Sequence, residues 1–180
     1  MARIKVGSVV VALALVVVVS ACSSSSKSSS STSSAAGVSV TTATTVAPSK
    51  TINIVVSDTK GLNGPMTLVA TPNVGLAGDV TFIVKNTGTI EHEVIVLKLA
   101  AGQTAAKLPV VDSGDPPVSA ATGADKVDET SSVGETGGEN LKPGESRTFV
   151  VTGMTAGNYA LVCNIAQHYQ MGMYAPFTVQ

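Results

Sequence analysis

The sequence has no tryptophan, only three tyrosines, three phenylalanines, two histidines and two cysteines, and few charges. Charged residues make up 13% of the 180 positions, against about a quarter in an ordinary soluble domain. Those few charges nearly cancel, with 11 Lys and Arg facing 12 Asp and Glu for a net charge of −1. Phosphate binding needs a concentrated basic surface, so nucleic acid is excluded as the partner. With 17 Gly, 8 Pro and long Ser/Thr tracts, the chain is not a large helical bundle. It carries no Gly-rich phosphate loop and no paired-His helix motif. Its acidic loop residues lack the hydrophobic surroundings of a general acid. The expectation is a protein that is not an enzyme, with one domain and a tail.

What is present is unevenly distributed. Arg3 and Lys5 precede an uncharged run from Val6 to Ala21 dominated by Val, Leu and Ala, the pattern of a secretory signal. The run ends Val19-Ser20-Ala21-Cys22, which resembles the bacterial lipobox. In that motif small residues precede a Cys that is lipidated and becomes the mature N-terminus. Residues 1–21 are therefore expected to be a lipoprotein signal peptide and Cys22 the lipidation site. The alternative is an uncleaved anchor, since the run approaches the length of a membrane span. Either way the remainder lies outside the cytoplasm, in the cell envelope or periplasm, tethered to a membrane. Residues 22–50 are too rich in Ser and Thr to form a core and are expected to be a flexible linker. A coil of that length spans roughly 30 Å.

The folded domain is expected over residues 51–180. Ile52, Ile54 and Val56 alternate with polar or exposed positions, the period of a half-buried strand. Further strands are expected at Met66–Ala70, Asp79–Lys85, Glu93–Leu99, Ser146–Thr152, Tyr159–Cys163 and Tyr174–Val179. Short strands between Gly, Pro and Asn turns indicate an all-β antiparallel sandwich or barrel. Residues 101–140 stand apart: rich in Gly and Pro, without aromatics, and holding Asp112, Asp115, Asp125, Asp128, Glu129, Glu135 and Glu139 against Lys107 and Lys126. A loop of that length is either disordered or functional. Disorder is the expected state, with an acidic flap that steers a basic partner as the alternative.

The soft-ligand inventory is small. If Cys22 carries lipid, Cys163 has no disulfide partner within the mature chain. Cys163, His168 and Met173 lie five residues apart between two expected strands, and His92 follows the turn Asn86-Thr87-Gly88. A thiolate, two imidazoles and a thioether are the donors of a blue-copper site, whereas a thioether is not a usual zinc ligand. A Cys/His nucleophile pair would leave the Met and the second His unexplained.

These residues resemble the cupredoxins. The family pattern is Asn-x-Gly before a first His, then Cys, His and Met close together before the last strand. Here it becomes Asn86-Thr87-Gly88 with His92, and Cys163-x₄-His168-x₄-Met173. The four-residue spacers are similar to the rusticyanin and sulfocyanin branch, and Leu141-Lys142-Pro143-Gly144-Glu145-Ser146 is also usual in the family. The resemblance implies a Greek-key β-sandwich with one mononuclear type 1 copper, held by His92, Cys163 and His168 with Met173 axial. It implies a monomeric one-electron carrier serving redox partners in the envelope. It also puts His168 at the solvent edge, among Ile165, Ala166 and Met171, as the exit for the electron. Met171 is a rival axial ligand, and Tyr169 is assigned to a docking surface. Two positions depart from the pattern: Glu93 stands where Asn or Ser is common, and Ala166-Gln167 where Pro-Gly is common. A copper-delivery lipoprotein and a partner-binding module with incidental copper are the competing readings.

Overall fold

The computed structural model describes residues 47–112 and 124–180. The expected signal peptide, Cys22 and nearly all of the expected linker lie outside the described residues. Among the described residues no helix is long and apolar enough to cross a membrane.

Two sheets face each other. The first has the order β2-β1-β4-β9, formed by β1 (Thr51–Asp58), β2 (Met66–Thr71), β4 (Gly78–Asn86) and β9 (Ser146–Met154). The second has the order β3-β11-β10-β5-β8, formed by β3 (Val74–Gly75), β5 (Ile95–Lys98), β8 (Ser132–Glu135), β10 (Gly157–Val162) and β11 (Tyr174–Val179). A separate ribbon pairs β6 (Val110–Val111) with β7 (Lys126–Val127). Each long strand expected from the period-two pattern is present.

The sandwich is not purely antiparallel, because β1 pairs in parallel with β4, and β3 with β11. Parallel neighbours need a crossover between them. Here the chain leaves the first sheet after β2, contributes β3 to the second, and returns as β4 beside β1.

Period-two side chains fill the space between the sheets. Ile52, Ile54 and Val56 from β1 and Val80, Phe82 and Val84 from β4 pack against Val96, Tyr159, Leu161 and Phe177 from the other sheet. Phe82 stacks on Phe149 and meets Phe177 edge-on.

Strands β5 and β10 are buried on both faces. Val94, Val96, Leu161 and Cys163 face the inner core, while Ile95, Leu97, Ala160 and Val162 belong to a second cluster on the outer side. That cluster is completed by Ala105, Val127 and Tyr169, with Leu99, Leu108 and Tyr174 at its margin. Two-sided burial explains why these strands are near-continuous apolar runs rather than alternating ones. The described parts of residues 101–140 are therefore not a structureless loop. They supply an edge strand, β8, and an apolar cover for the second sheet, because hydrophobic burial against β5 and β10 offsets the entropy of ordering them.

Candidate metal centre

The centre sits where the inner strands end. Continuing the inward positions of β1 by two residues beyond Val56 gives Asp58, and continuing those of β4 beyond Val84 gives Asn86. Both polar side chains are buried, and Val56 pairs with Asn86 across the parallel ladder. Asn86 accepts from Gly88 N–H at 2.8 Å and donates to the carbonyls of Ile90 and Leu141, each at 2.8 Å. His92 exchanges both backbone hydrogen bonds with Leu141. Asn86 and Leu141 thus hold the 86–92 loop in place, which accounts for both the Asn-x-Gly motif and the segment beginning at Leu141.

Asp58 completes the anchor. Its carboxylate accepts from Gly61 N–H (2.7 Å), Thr89 N–H (2.7 Å), the Thr89 hydroxyl, Ile90 N–H (3.2 Å) and His92 Nε2 (3.0 Å). Burial acts to raise its pKa, but the Thr89, Gly61 and His92 hydrogen bonds outweigh that and hold it well below the usual carboxylate range. An ionised carboxylate can only accept, so His92 Nε2 carries the proton and Nδ1 keeps its lone pair. Gly88 is required at this junction. A Cβ there would overlap Asp58 Oδ2 and lie 2.9 Å from His92 Nε2. Asp58 was absent from the expected site; its signal was the period-two pattern of β1 carried past the last apolar residue.

Cys163 and Met173 flank the second half. The Cys163 N–H donates to the Met173 carbonyl at 3.0 Å, extending the β10–β11 ladder by one rung. His168 lies on the loop between them. The three soft donors converge: His92 Nδ1 is 3.2 Å from His168 Nδ1, and Cys163 Sγ is 3.3 Å from His168 Nδ1 and 3.8 Å from His92 Nδ1. A point in that plane lies about 2 Å from all three atoms, the length of a metal–imidazole bond. His92 and Cys163 are completely buried, and His168 is 2% exposed. Met173 is completely buried in the same core as Cys163, while Met171 is only half-buried at its margin.

Burial sets the protonation of the cluster. It pushes the Cys163 thiol up to about 12, with the Glu93 and Ile165 backbone N–H groups acting in the opposite direction. It lowers His168 to about 4, helped by neighbouring His92. His92 is also lowered by burial, which Asp58 only partly offsets. The metal-free cluster is therefore neutral near pH 7, and a metal binding there must displace the thiol proton.

Both departures from the family pattern have a structural account. The Glu93 backbone N–H donates to Cys163 Sγ at 3.4 Å, so that hydrogen bond does not depend on the side chain. The half-buried Glu93 carboxyl is raised by burial and by Glu129. Gln167, where Gly is common, has φ +71°, a left-handed conformation that glycine tolerates far better. Tyr169 corrects an expectation: it is buried, not part of a docking surface. Its hydroxyl accepts from Leu108 N–H and donates to the Ala105 carbonyl, both at 2.9 Å. Those partners lie some sixty residues away in sequence, beyond the reach of local patterns. Ile165, Ala166 and Met171 are half-buried, and His168 is buried.

The chain has the all-β, two-sheet sandwich of the cupredoxins, and its donor set fits a type 1 copper centre. It is similar to auracyanin from the photosynthetic bacterium Roseiflexus castenholzii, a dithionite-reduced crystal form. The TM-score is 0.52 at 28% identity, covering 74% of this chain and 99% of that one. Auracyanin A from Chloroflexus aurantiacus, described as a "blue" copper protein, matches at 21% identity and TM-score 0.47, covering 72% of this chain and 99% of that one. Rusticyanin from Thiobacillus ferrooxidans matches at 19% identity and TM-score 0.43, covering 73% and 78%. No protein-family model matches the sequence, and no curated protein matches it significantly.

Proposed function

We propose that the protein is a one-electron carrier with a single type 1 copper, lipid-anchored through Cys22 on the outer side of a cell membrane. The observation that carries the redox part is the convergence of His92 Nδ1, Cys163 Sγ and His168 Nδ1, with Met173 behind them in the core. Copper supplies a one-electron couple in such a set. Sulfur suits Cu(I) and imidazole suits Cu(II), so a fixed arrangement serves both states with little rearrangement.

The chain's own residues prepare that arrangement. Asp58 fixes the His92 tautomer and ring orientation. The Glu93 N–H stabilises negative charge on the Cys163 sulfur. The buried walls exclude water and tune the centre through their low polarity. His168, the least buried of the three, is the ligand through which an envelope redox partner would be reached. Near-complete burial of the donors favours electron exchange over the competing reading, copper delivery, which needs the metal to leave easily.

The test is direct. Addition of Cu(II) to the protein should give an intense thiolate-to-copper band in the visible spectrum, and Cys163→Ser should abolish it. A colourless wild type without stoichiometric copper overturns the proposal. The anchor rests on the N-terminal sequence. Cys22→Ala expressed in a bacterial host should move the protein from the membrane fraction to the soluble fraction.

A further inference from the structure

The ligand loop between Cys163 and Met173 is tied to the insertion at several points. Asn164, next to Cys163 and 1% exposed, accepts from Val127 N–H at 2.6 Å. It donates to the Val127 carbonyl at 3.0 Å and to Glu129 Oε1 at 2.7 Å. The Gln167 N–H donates to the Asp125 carbonyl at 2.8 Å, and Gln170 Nε2 donates to the Ala124 carbonyl at 2.9 Å. Tyr169, next to His168, is bonded through its hydroxyl to both Leu108 and Ala105. On the opposite side the loop meets β2 through a single longer bond, from Met66 N–H to the Met171 carbonyl at 3.4 Å.

Two independent features show that this seam is built. The insertion is seated by apolar burial, with Ala105 and Val127 packed on Ile95, Leu97, Ala160, Val162 and Tyr169. The Gln167 backbone lies in a region that L side chains rarely adopt, and such strain persists only where the surroundings over-determine the conformation. In that conformation its N–H donates to the Asp125 carbonyl of the insertion.

We propose that the insertion, through residues 105–108 and 124–129, is a clamp that holds the ligand loop in its metal-binding shape before metal arrives. Tyr169 and Asn164 are its positioning residues, acting on His168 and Cys163 respectively. The copper consequence rests on the function proposed above; the clamp itself does not. Apart from the Glu129 carboxylate that accepts from Asn164, the bonds are between neutral groups, which fix backbone geometry with little charge beside the donors.

The experiment is amide hydrogen exchange on the metal-free full chain, comparing wild type with Tyr169→Phe and Asn164→Ala. Tyr169→Phe removes only the hydroxyl and keeps the ring in its cluster. Exchange across residues 164–173 should accelerate at least tenfold in both variants, with the amides of β1 and β4 unchanged. In copper-loaded protein, Tyr169→Phe should keep a visible band at shifted energy and lose Cu(I) to a bicinchoninate chelator at least tenfold faster. Unchanged exchange across the loop in both variants overturns the clamp. If Asn164→Ala fails to fold, Tyr169→Phe and Gln170→Ala decide on the same readout. A wild type that takes up no copper, but whose loop exchange responds to Tyr169→Phe, sinks the copper carrier and leaves the clamp standing.

Discussion

The two histidines of the centre are held by opposite means. His92 is fixed from inside the sandwich: Asp58 and Asn86 close the inward faces of the paired strands β1 and β4, and an ionised carboxylate carries the load. Cys163 and His168 are fixed from outside, by carboxamides, a phenol and backbone groups that reach a distant insertion. The first anchor is inherited from the core, and any loss there leaves buried polar groups unpaired. The second is modular, a set of mostly neutral bonds that can weaken one at a time. One half of the site is therefore expected to fail abruptly and the other to loosen gradually.

The largest break should come from Asp58→Ala. It strands the His92 ring N–H and several backbone donors without a partner in a buried site, at about 1–3 kcal/mol for each donor left unsatisfied, measurable by urea unfolding of the metal-free protein. Acid should produce the next effect. His168 and His92 are held neutral in the fold, with folded pKa values below the ordinary 6.5, so the unfolded chain takes up protons first. Stability is then complete above the ordinary imidazole range and falls as pH drops from there toward the folded value of about 4 for His168. The fall due to His168 is at most ~3 kcal/mol, and His168→Gln should flatten that slope in urea titrations across the range. Asp58 contributes at lower pH still: its stabilisation is present above the usual carboxylate range and drains away below it.

Gly88→Ala forces a methyl group between Asp58 and His92 and should cost about 1–3 kcal/mol, with a weakened visible band in the copper form. The smallest effect belongs to the modular side. Gln167→Gly relieves a left-handed residue and should change stability by less than about 1 kcal/mol, because the backbone entropy of glycine offsets the relief. A large loss there, measured by the same urea unfolding, would mean that the Gln167 side chain, rather than its backbone, secures the loop.

Much of this was legible in the sequence, for identifiable reasons. The long strands announced themselves because each has one face in a single core, and the donors did so because four soft ligands in that order have few other uses. The shortest strands carried no such signal. β3, β6 and β7 are two residues each, defined by partners far away in the chain. β8 contains Gly134, which reads as a strand breaker, yet a Cβ there would lie 2.6 Å from a Val151 methyl group. The glycine is present so that the edge strand can approach β9 closely. Asp58 is hidden by polarity: the apolar alternation that marks β1 ends at Val56, although the strand's inward period runs on to Asp58. Tyr169 was hidden by proximity, since a tyrosine beside a ligand suggests a partner surface until its hydroxyl is traced to Ala105 and Leu108.

The two-sided burial of β5 and β10 also bears on how this scaffold could be shortened. Trimming the chain between Leu99 and Asn140 to a tight turn looks like the removal of an ornament. It would instead bare Ile95, Leu97, Ala160 and Val162 as one contiguous apolar surface and leave β5 without its neighbour β8. An exposed apolar face beside an open strand edge is a template for self-association, so a minimised version would be lost to aggregates before its colour could be judged.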